Sequence, residues 1–175
     1  MKTSCRFGVS IHLVLGGCVL VAAIGGLRGS AYAATATANL SVTATVIANC
    51  SISTSAVAFG NYDPAVAHSA SPLDGTGTVT ITCTKGSGPT VGLDVGSNAS
   101  GSTRRMTDGS EYLSYELYQN SGRTTVWGSS GGAIYDPGAA PSYAARSLTV
   151  YGRVGAGQDV SVGSYSDTVV ATVTF

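Results

Sequence analysis

The stretch that decides the fold is residues 77–83, GTVTITC, in which apolar and hydroxyl side chains alternate one by one. Val79, Ile81 and Cys83 lie on one face of an extended chain and the threonines lie on the other, because successive side chains of a strand point to opposite faces. The pattern predicts a strand with one buried face over residues 77–84. Similar segments recur between glycine-rich turns, at residues 39–48, 57–59, 90–95, 112–118, 125–127, 146–154 and 168–175.

Seven or eight short strands without a clear helix predict an all-β protein, an antiparallel sandwich of immunoglobulin type. Residues 96–109 and 128–141 are predicted to be loops. Charged residues make up 10% of the chain and glycine contributes 24 residues, which is not the composition of a helical bundle or of a disordered charged tail. The formal net charge of zero argues against nucleic-acid binding.

The first 33 residues have the pattern of a secretory signal peptide. Lys2 and Arg6 precede an apolar run, and Ala31-Tyr32-Ala33 forms a cleavage site of the A-x-A type. A membrane anchor is the alternative, and lipidation at Cys18 is a weaker one. Cleavage predicts an exported chain that begins at Ala34 and has six cations and nine acidic residues, a net charge of −3.

Two cysteines, Cys50 and Cys83, remain after removal of the signal, and an even pair in an oxidising compartment predicts a disulfide. Closing a segment of 33 residues is worth about 3–4 kcal/mol in the chain-entropy model. A metal site is not expected, since the exported chain has a single histidine, His68. His68 and Asp63 are predicted to be loop residues, with Asp63 capping a turn, so no catalytic residue is predicted.

Both ends of the exported chain are long alternating segments. Residues 168–175 are predicted to be the most regular strand and end on Phe175, while residues 34–48 are uncharged and almost free of turn residues. An exposed strand of this kind is one that monomeric proteins avoid. One hypothesis is that the N-terminal segment of one copy adds as a strand beside the last strand of the next copy. The alternative is that residues 34–48 pair within their own domain as a first strand.

Several short motifs, taken in order, carry a family resemblance. They are Asn49-Cys50, the turn FGNYDP at residues 59–64, GTVTITC at 77–83, Arg105-Met106, LSYELY at 113–118, Trp127-Gly128 and GSYSDTVVATVTF at 163–175. In this arrangement the exported chain resembles the spore coat protein U domain family, which includes pilins of the archaic chaperone–usher pathway.

The resemblance implies an immunoglobulin-like sandwich, residues 49–175, that lacks its last strand, and an N-terminal donor-strand arm, residues 34–48. The inserting side chains of the arm would be Leu40, Val42, Ala44 and Val46. The edge of the acceptor groove would carry Val169, Ala171, Val173 and Phe175, and the family's disulfide matches Cys50 and Cys83. The implied partners are a periplasmic chaperone, an outer-membrane usher and neighbouring subunits, without nucleic acid or cofactor, in a fibre at the cell surface that supports adhesion and biofilm formation.

Two further functions compete with a fibre subunit. Five aromatic residues could form a sugar-binding surface of an adhesin; they are Tyr112, Tyr118, Trp127, Tyr135 and Tyr143. A layer of coat protein on a spore or cell surface would use the same assembly chemistry. Arg104 and Arg105 are interpreted as a solvated loop pair rather than an anion site.

Overall fold

The structure, a computed structural model, describes residues 32–175. The predicted signal peptide, with Cys5 and Cys18, lies outside the described residues except for its last two positions. The chain divides at Thr43 and Ala44 into two units. In the first unit, residues 32–43 contain no helix or strand. Among residues 32–175, no helix has the length and apolarity that a membrane span requires.

Within residues 32–175, all regular structure beyond one short turn is β-strand. The strands are β1 Cys50–Ser55, β2 Leu73–Cys83, β3 Thr90–Leu93, β4 Arg104–Thr107, β5 Tyr112–Tyr118, β6 Arg146–Val154 and β7 Ala171–Thr174, with a 3₁₀ turn at Gly131–Ala133. The larger sheet has the order β1-β2-β6-β5-β4, the smaller sheet pairs β3 with β7, and every pair is antiparallel. The predicted class, an antiparallel β-sandwich of immunoglobulin type, is confirmed.

The alternation of apolar and polar residues in the sequence correctly predicts which side chains of the central strands are buried. In β5, Leu113, Tyr115 and Leu117 are buried while the residues between them are partly accessible, and β2 buries Val79, Ile81 and Cys83 in the same way. The bounds of β5 and β6 coincide with the predicted segments. These strands have neighbours on both sides, so one face is buried along their length and the period of two is strong.

The predictions for the edge elements are wrong in several places. Residues 39–48 form no strand, and the first strand is instead β1, at Cys50–Ser55. The predicted loop 96–109 contains β4, and residues 125–127 contribute only an isolated bridge between Tyr118 and Val126. Short edge strands made of serine, threonine and arginine bury little apolar surface, so their alternation carries little signal.

Residues 57–59 were also predicted as a strand, but they lie across the sheet. Val57 and Phe59 pack against the core over a floor of glycines in β2 and β6, where Gly75 is paired with Gly152. A methyl group built on Gly152 would lie 2.7 Å from both Val57 Cγ1 and Phe59 Cζ. Glycine in a strand interior marks such a close approach.

Gly152→Ala is therefore expected to destabilise the fold by about 1–3 kcal/mol, because the added methyl displaces Val57 and Phe59. Chemical denaturation of the two proteins measures the difference. Gly132→Ala is the matched control, since nothing lies within 4 Å of a methyl group built there. Equal stability of Gly152→Ala and the parent chain would contradict the packing described above.

The disulfide joins Cys50 of β1 to Cys83 of β2, which are directly opposite in the ladder with a Cα–Cα distance of 4.1 Å. Thr84 donates its N–H to Asn49 O one position away, so the cysteine pair is a non-hydrogen-bonded pair. Non-hydrogen-bonded pairs have the shorter Cα–Cα distance in an antiparallel ladder. The predicted bond therefore crosses the first hairpin of the sandwich.

Candidate functional site: an open groove

The sandwich is open along one side, between the end of β1 and the segment that leads into β7. A cavity of about 390 Å³ lies there, with Leu93, Leu117 and Val150 on its floor. One wall contains Thr54–Val57 and the other Tyr165–Val169. Native cores seldom hold voids much larger than a water molecule. An apolar space of this size, open to solvent, is a place where a further element can pack.

A second cavity of about 790 Å³ continues the first. The two share Val57, Phe59, Met106 and Tyr165 in their linings. The second cavity runs between residues 57–65 and residues 160–165 and reaches Leu113 and Val154. The two cavities together form one groove, which is called the open groove below.

The backbone of β7 leaves one edge free toward this groove. Val91 exchanges two backbone hydrogen bonds with Tyr135, and Leu93 donates its N–H to Gly128 O. The backbone N–H and C=O groups of these two β3 residues are therefore directed away from β7. Their partners Val173 and Ala171 are therefore in non-hydrogen-bonded pairs, with N–H and C=O directed away from β3. Unpaired strand edges of this kind accept another strand.

The opposite wall has a second free edge. Because Asn49 and Thr84 are hydrogen-bonded, the alternation of the ladder turns the N–H and C=O groups of Ile52 and Thr54 away from β2. In the described part of the chain β1 pairs with β2 alone. A strand lying in the open groove would thus have Thr54 on one wall and Ala171 on the other as hydrogen-bonding residues. Where the Cα atoms of β1 and β7 approach within 8 Å, a strand has no room between the two edges.

The four residues predicted for the acceptor edge occupy different positions. Val169 and Ala171 line the groove, whereas Val173 is half-buried against the core within the β3–β7 ladder. Phe175 is 53% exposed and lies outside the groove lining. The side chains that form the walls and floor come mainly from Val57, Phe59 and the central strands, which the sequence did not connect with this site.

The predicted donor residues are exposed. Leu40, Val42 and Val46 have exposures of 87%, 85% and 83%, and Ala44 is also exposed. Residues 32–49 are in no helix or strand. The alternation of this segment is therefore not used to form a buried strand face in the described chain.

Arg104 is a buried arginine that joins several segments of the fold, a role that the sequence did not reveal. It is 2% exposed, and its guanidinium donates to the carbonyl oxygens of Leu93, Asp94 and Trp127 and to the carboxylate of Glu116. Arg105 lies nearer the surface, 3.9 Å above the ring centre of Tyr112. The prediction of a solvated pair is wrong for Arg104, because adjacent strand residues face opposite sides and one of them must point inward.

The aromatic residues do not form one exposed surface. Trp127 is fully buried and donates its indole N–H to Val91 O at 2.8 Å, and Tyr135 packs against it. Arg105 covers a face of the Tyr112 ring. Tyr143 is 82% exposed. A stacking platform built from all five rings is therefore not what the fold presents.

Asp63 and His68 stabilise the turn beyond β1. The Asp63 carboxylate accepts from the N–H groups of Ala65 and Val66, and the bond from Val66 is the chief reason that the pKa of this carboxyl is lowered. His68 Nδ1 accepts from Asp63 N–H at 3.0 Å, and its ring stacks on Tyr62. The predicted capping role of Asp63 agrees with this geometry.

Tyr115 and Asp167 meet at the lining of the groove. The Tyr115 hydroxyl donates to Asp167 Oδ2 at 2.6 Å, and Asp167 Oδ1 accepts from N–H and Nδ2 of Asn98. Burial, followed by the bond to Asp167, raises the pKa of Tyr115. The hydroxyl therefore stays protonated at neutral pH and acts as a donor to the carboxylate.

The fold and the open groove define a class of protein, an immunoglobulin-like sandwich with one strand position unfilled. The chain belongs to the Spore Coat Protein U domain family, whose model matches residues 36–172. It is 41% identical over 162 residues to "Protein U" of Myxococcus xanthus, covering 83% of this chain and 88% of that protein.

A solved structure is similar in fold. It is a chain from the crystal structure of the CsuC–CsuE chaperone–tip adhesion subunit pre-assembly complex, from archaic chaperone–usher Csu pili of Acinetobacter baumannii. The TM-score is 0.55 at 24% identity, and the match covers 75% of this chain and 41% of that chain. At this identity the similarity establishes the shared sandwich, and the Csu chain has considerable further length.

Proposed function

We propose that this protein is a structural subunit of an extracellular pilus or fimbria, assembled by strand exchange. The arm of one subunit, residues 34–48, would enter the open groove of the next and pair with the free edges of β1 and β7. The observation that carries the proposal is the apolar groove between two strand edges that lack partners in the described chain. Family membership and the similarity to a Csu pilus assembly chain support it.

The energetics favour such a joint. Leu40, Val42 and Val46 are exposed in the single chain, and burying each would contribute about 1.5–3 kcal/mol. Each main-chain hydrogen bond to a free edge adds about 0.5–1.5 kcal/mol. Because donor and acceptor are different surfaces of the same molecule, the contact is head-to-tail and continues into a filament.

The same groove would need a temporary partner before assembly. We propose that a periplasmic chaperone covers it and that an outer-membrane usher exchanges the chaperone for the next subunit, as the archaic chaperone–usher setting of the Csu relative suggests. The exported chain would then begin at Ala34 after removal of the signal peptide. Roles in adhesion and biofilm formation would follow from a fibre on the cell surface.

A coat layer is the second candidate function, favoured by the family description and by the identity to Protein U. It would use the same exchange of strands and differ in whether the polymer extends from the cell or covers it. Immunogold labelling of intact cells distinguishes thin fibres from a continuous layer. The buried Trp127 argues against an adhesin built on the five aromatic residues.

Val42→Asp tests the exchange directly. The inserted carboxylate would be buried without a partner, so we expect the joint to weaken by several kcal/mol. Thr43→Asp is the matched control, since it adds the same charge at the next residue, on the opposite face of the arm. The measurement is the temperature at which purified polymers dissociate into subunits.

A clear drop for Val42→Asp with little change for Thr43→Asp supports insertion of the face that carries Leu40, Val42, Ala44 and Val46. Equal dissociation temperatures for Val42→Asp and the parent chain would contradict the proposal. Equal losses for both variants would show that the added charge weakens the joint wherever it is placed on the arm, and would contradict insertion of one apolar face.

A further inference from the structure

Residues 166–171 form one wall of the groove and are called the receiving edge below. This edge extends beyond the residues that β3 pairs with. The β3–β7 ladder ends at the pair Leu93–Ala171. Gly96 then takes a positive φ of +83°, which turns the chain after β3 away from a strand conformation. Residues 166–170 nevertheless carry hydrogen bonds of an extended edge, although in the described chain their only strand pairing is the isolated bridge between Ser166 and Thr107 at the end of β4.

Separate backbone contacts hold alternate residues of this edge. Ser166 exchanges two hydrogen bonds with Thr107, Thr168 O accepts from Ser97 N–H, and Val170 O accepts from Asp94 N–H. These three residues thus face the body of the sandwich. Val169 lies between two of them, so in extended backbone its N–H and C=O point the other way, toward the open groove.

Two carboxylates replace the missing ladder bonds. Asp94 Oδ1 accepts from Val170 N–H and from Gly96 N–H, each at 2.9 Å. Asp167 binds Tyr115 and Asn98 through its two oxygens, as described above. Gly96 leaves room for this carboxylate, because a methyl group built there would lie 2.0 Å from Asp167 Oδ2. The four side chains Asp94, Asn98, Tyr115 and Asp167 are called the edge-holding cluster.

We propose that Asp94 and Asp167 are positioning residues for strand capture, which hold the receiving edge extended while the groove is empty. This inference rests on the proposed function. The incoming strand would find the backbone groups of Val169 and Ala171 already directed at it. In this role the two carboxylates act through the backbone that they fix.

This role predicts a change in rates rather than in the bound state. Without the cluster, the edge samples other conformations, and only the extended fraction can accept a strand. Once the donor has paired with the edge, its own ladder keeps the edge extended. The association rate constant should therefore fall in proportion to the extended fraction of the edge, while the dissociation rate constant stays nearly unchanged.

The experiment uses the full chain purified after export and a fluorescent peptide with the sequence of residues 34–49. Stopped-flow anisotropy gives both rate constants. For Asp167→Ala we expect association to slow roughly tenfold and dissociation to change less than about twofold. Asp167→Asn keeps an oxygen for Asn98 and should restore association to near the parent rate. Asp136→Ala is the matched control, because this exposed carboxylate bonds only to Gly138 of its own turn.

A second measurement does not depend on the peptide. Hydrogen exchange of the Ser97 and Val170 amides reports whether residues 168–170 remain attached to the sandwich. Both amides should exchange faster in Asp167→Ala and in Tyr115→Phe than in the parent chain. A general loss of stability would instead speed exchange across the core strands as well.

The outcomes separate the two proposals. Parent-like association by Asp167→Ala, with capture of the peptide intact, would overturn the role of the cluster and leave strand exchange standing. Failure of the parent chain, shown by size-exclusion chromatography to be a monomer at the start of the measurement, to capture the peptide would overturn strand exchange. In that case faster exchange of the Ser97 and Val170 amides still supports the cluster as the holder of this edge, and unchanged exchange overturns it.

Discussion

Deletion of residues 34–48 is expected to abolish head-to-tail assembly, so that electron microscopy shows no fibres from cells that produce only the deleted chain. The arm is the source of every proposed donor side chain, and the open groove is the proposed acceptor. Without an arm, a subunit can still receive a strand but cannot donate one. The deleted chain should therefore accumulate as a single subunit bound to its chaperone.

A control of the same length separates the effect of losing the arm's side chains from the effect of shortening the chain. Replacing residues 34–48 by a glycine–serine sequence keeps the length and removes all apolar side chains, and it should fail as completely as the deletion. A synthetic peptide of residues 34–49 should bind the deleted chain without restoring fibres. Fibres of normal length from the deleted chain would refute arm exchange as the mode of assembly.

Arg104→Leu is expected to lower the free energy of unfolding by about 4–5 kcal/mol, near the upper end for one partner of a buried ion pair. The leucine leaves the carbonyl oxygens of Leu93, Asp94 and Trp127 without their donor, and the Glu116 carboxylate without its charge partner. A buried acceptor left without a donor costs about 1–3 kcal/mol. These groups belong to three separate segments, and the guanidinium bonds to all three.

Arg105→Leu is the matched control for Arg104→Leu. Its guanidinium lies over Tyr112 and donates to Asn98 O, and an exposed interaction of this kind is worth about 0.5–1 kcal/mol. Urea denaturation of the three chains gives the comparison. Similar small losses for both variants would mean that Arg104 is dispensable to the fold despite its burial.

The central strands could be predicted from the sequence because their two neighbours bury one face along the whole length. Val79 and Ile81 in β2 and Leu113 and Leu117 in β5 show this most clearly. β1 and β4 could not be predicted, since β1 offers only Cys50 and Ile52 and β4 only Met106 as apolar residues, too few for a clear period of two. For Val57 and Phe59 the alternation was present, but the glycines of two distant strands allow these residues to pack on a sheet face instead of pairing.

The sequence by itself determined the all-β class, the residues of the central core, the cysteine pair and the family. These properties follow from local alternation, from the number of cysteines and from the order of motifs along the chain. Tertiary structure alone decided where the groove opens, which backbone groups face it, and that Arg104 and Asp167 join distant segments. A free strand edge depends on the hydrogen bonds of both its neighbours, and no local pattern specifies which neighbour is missing.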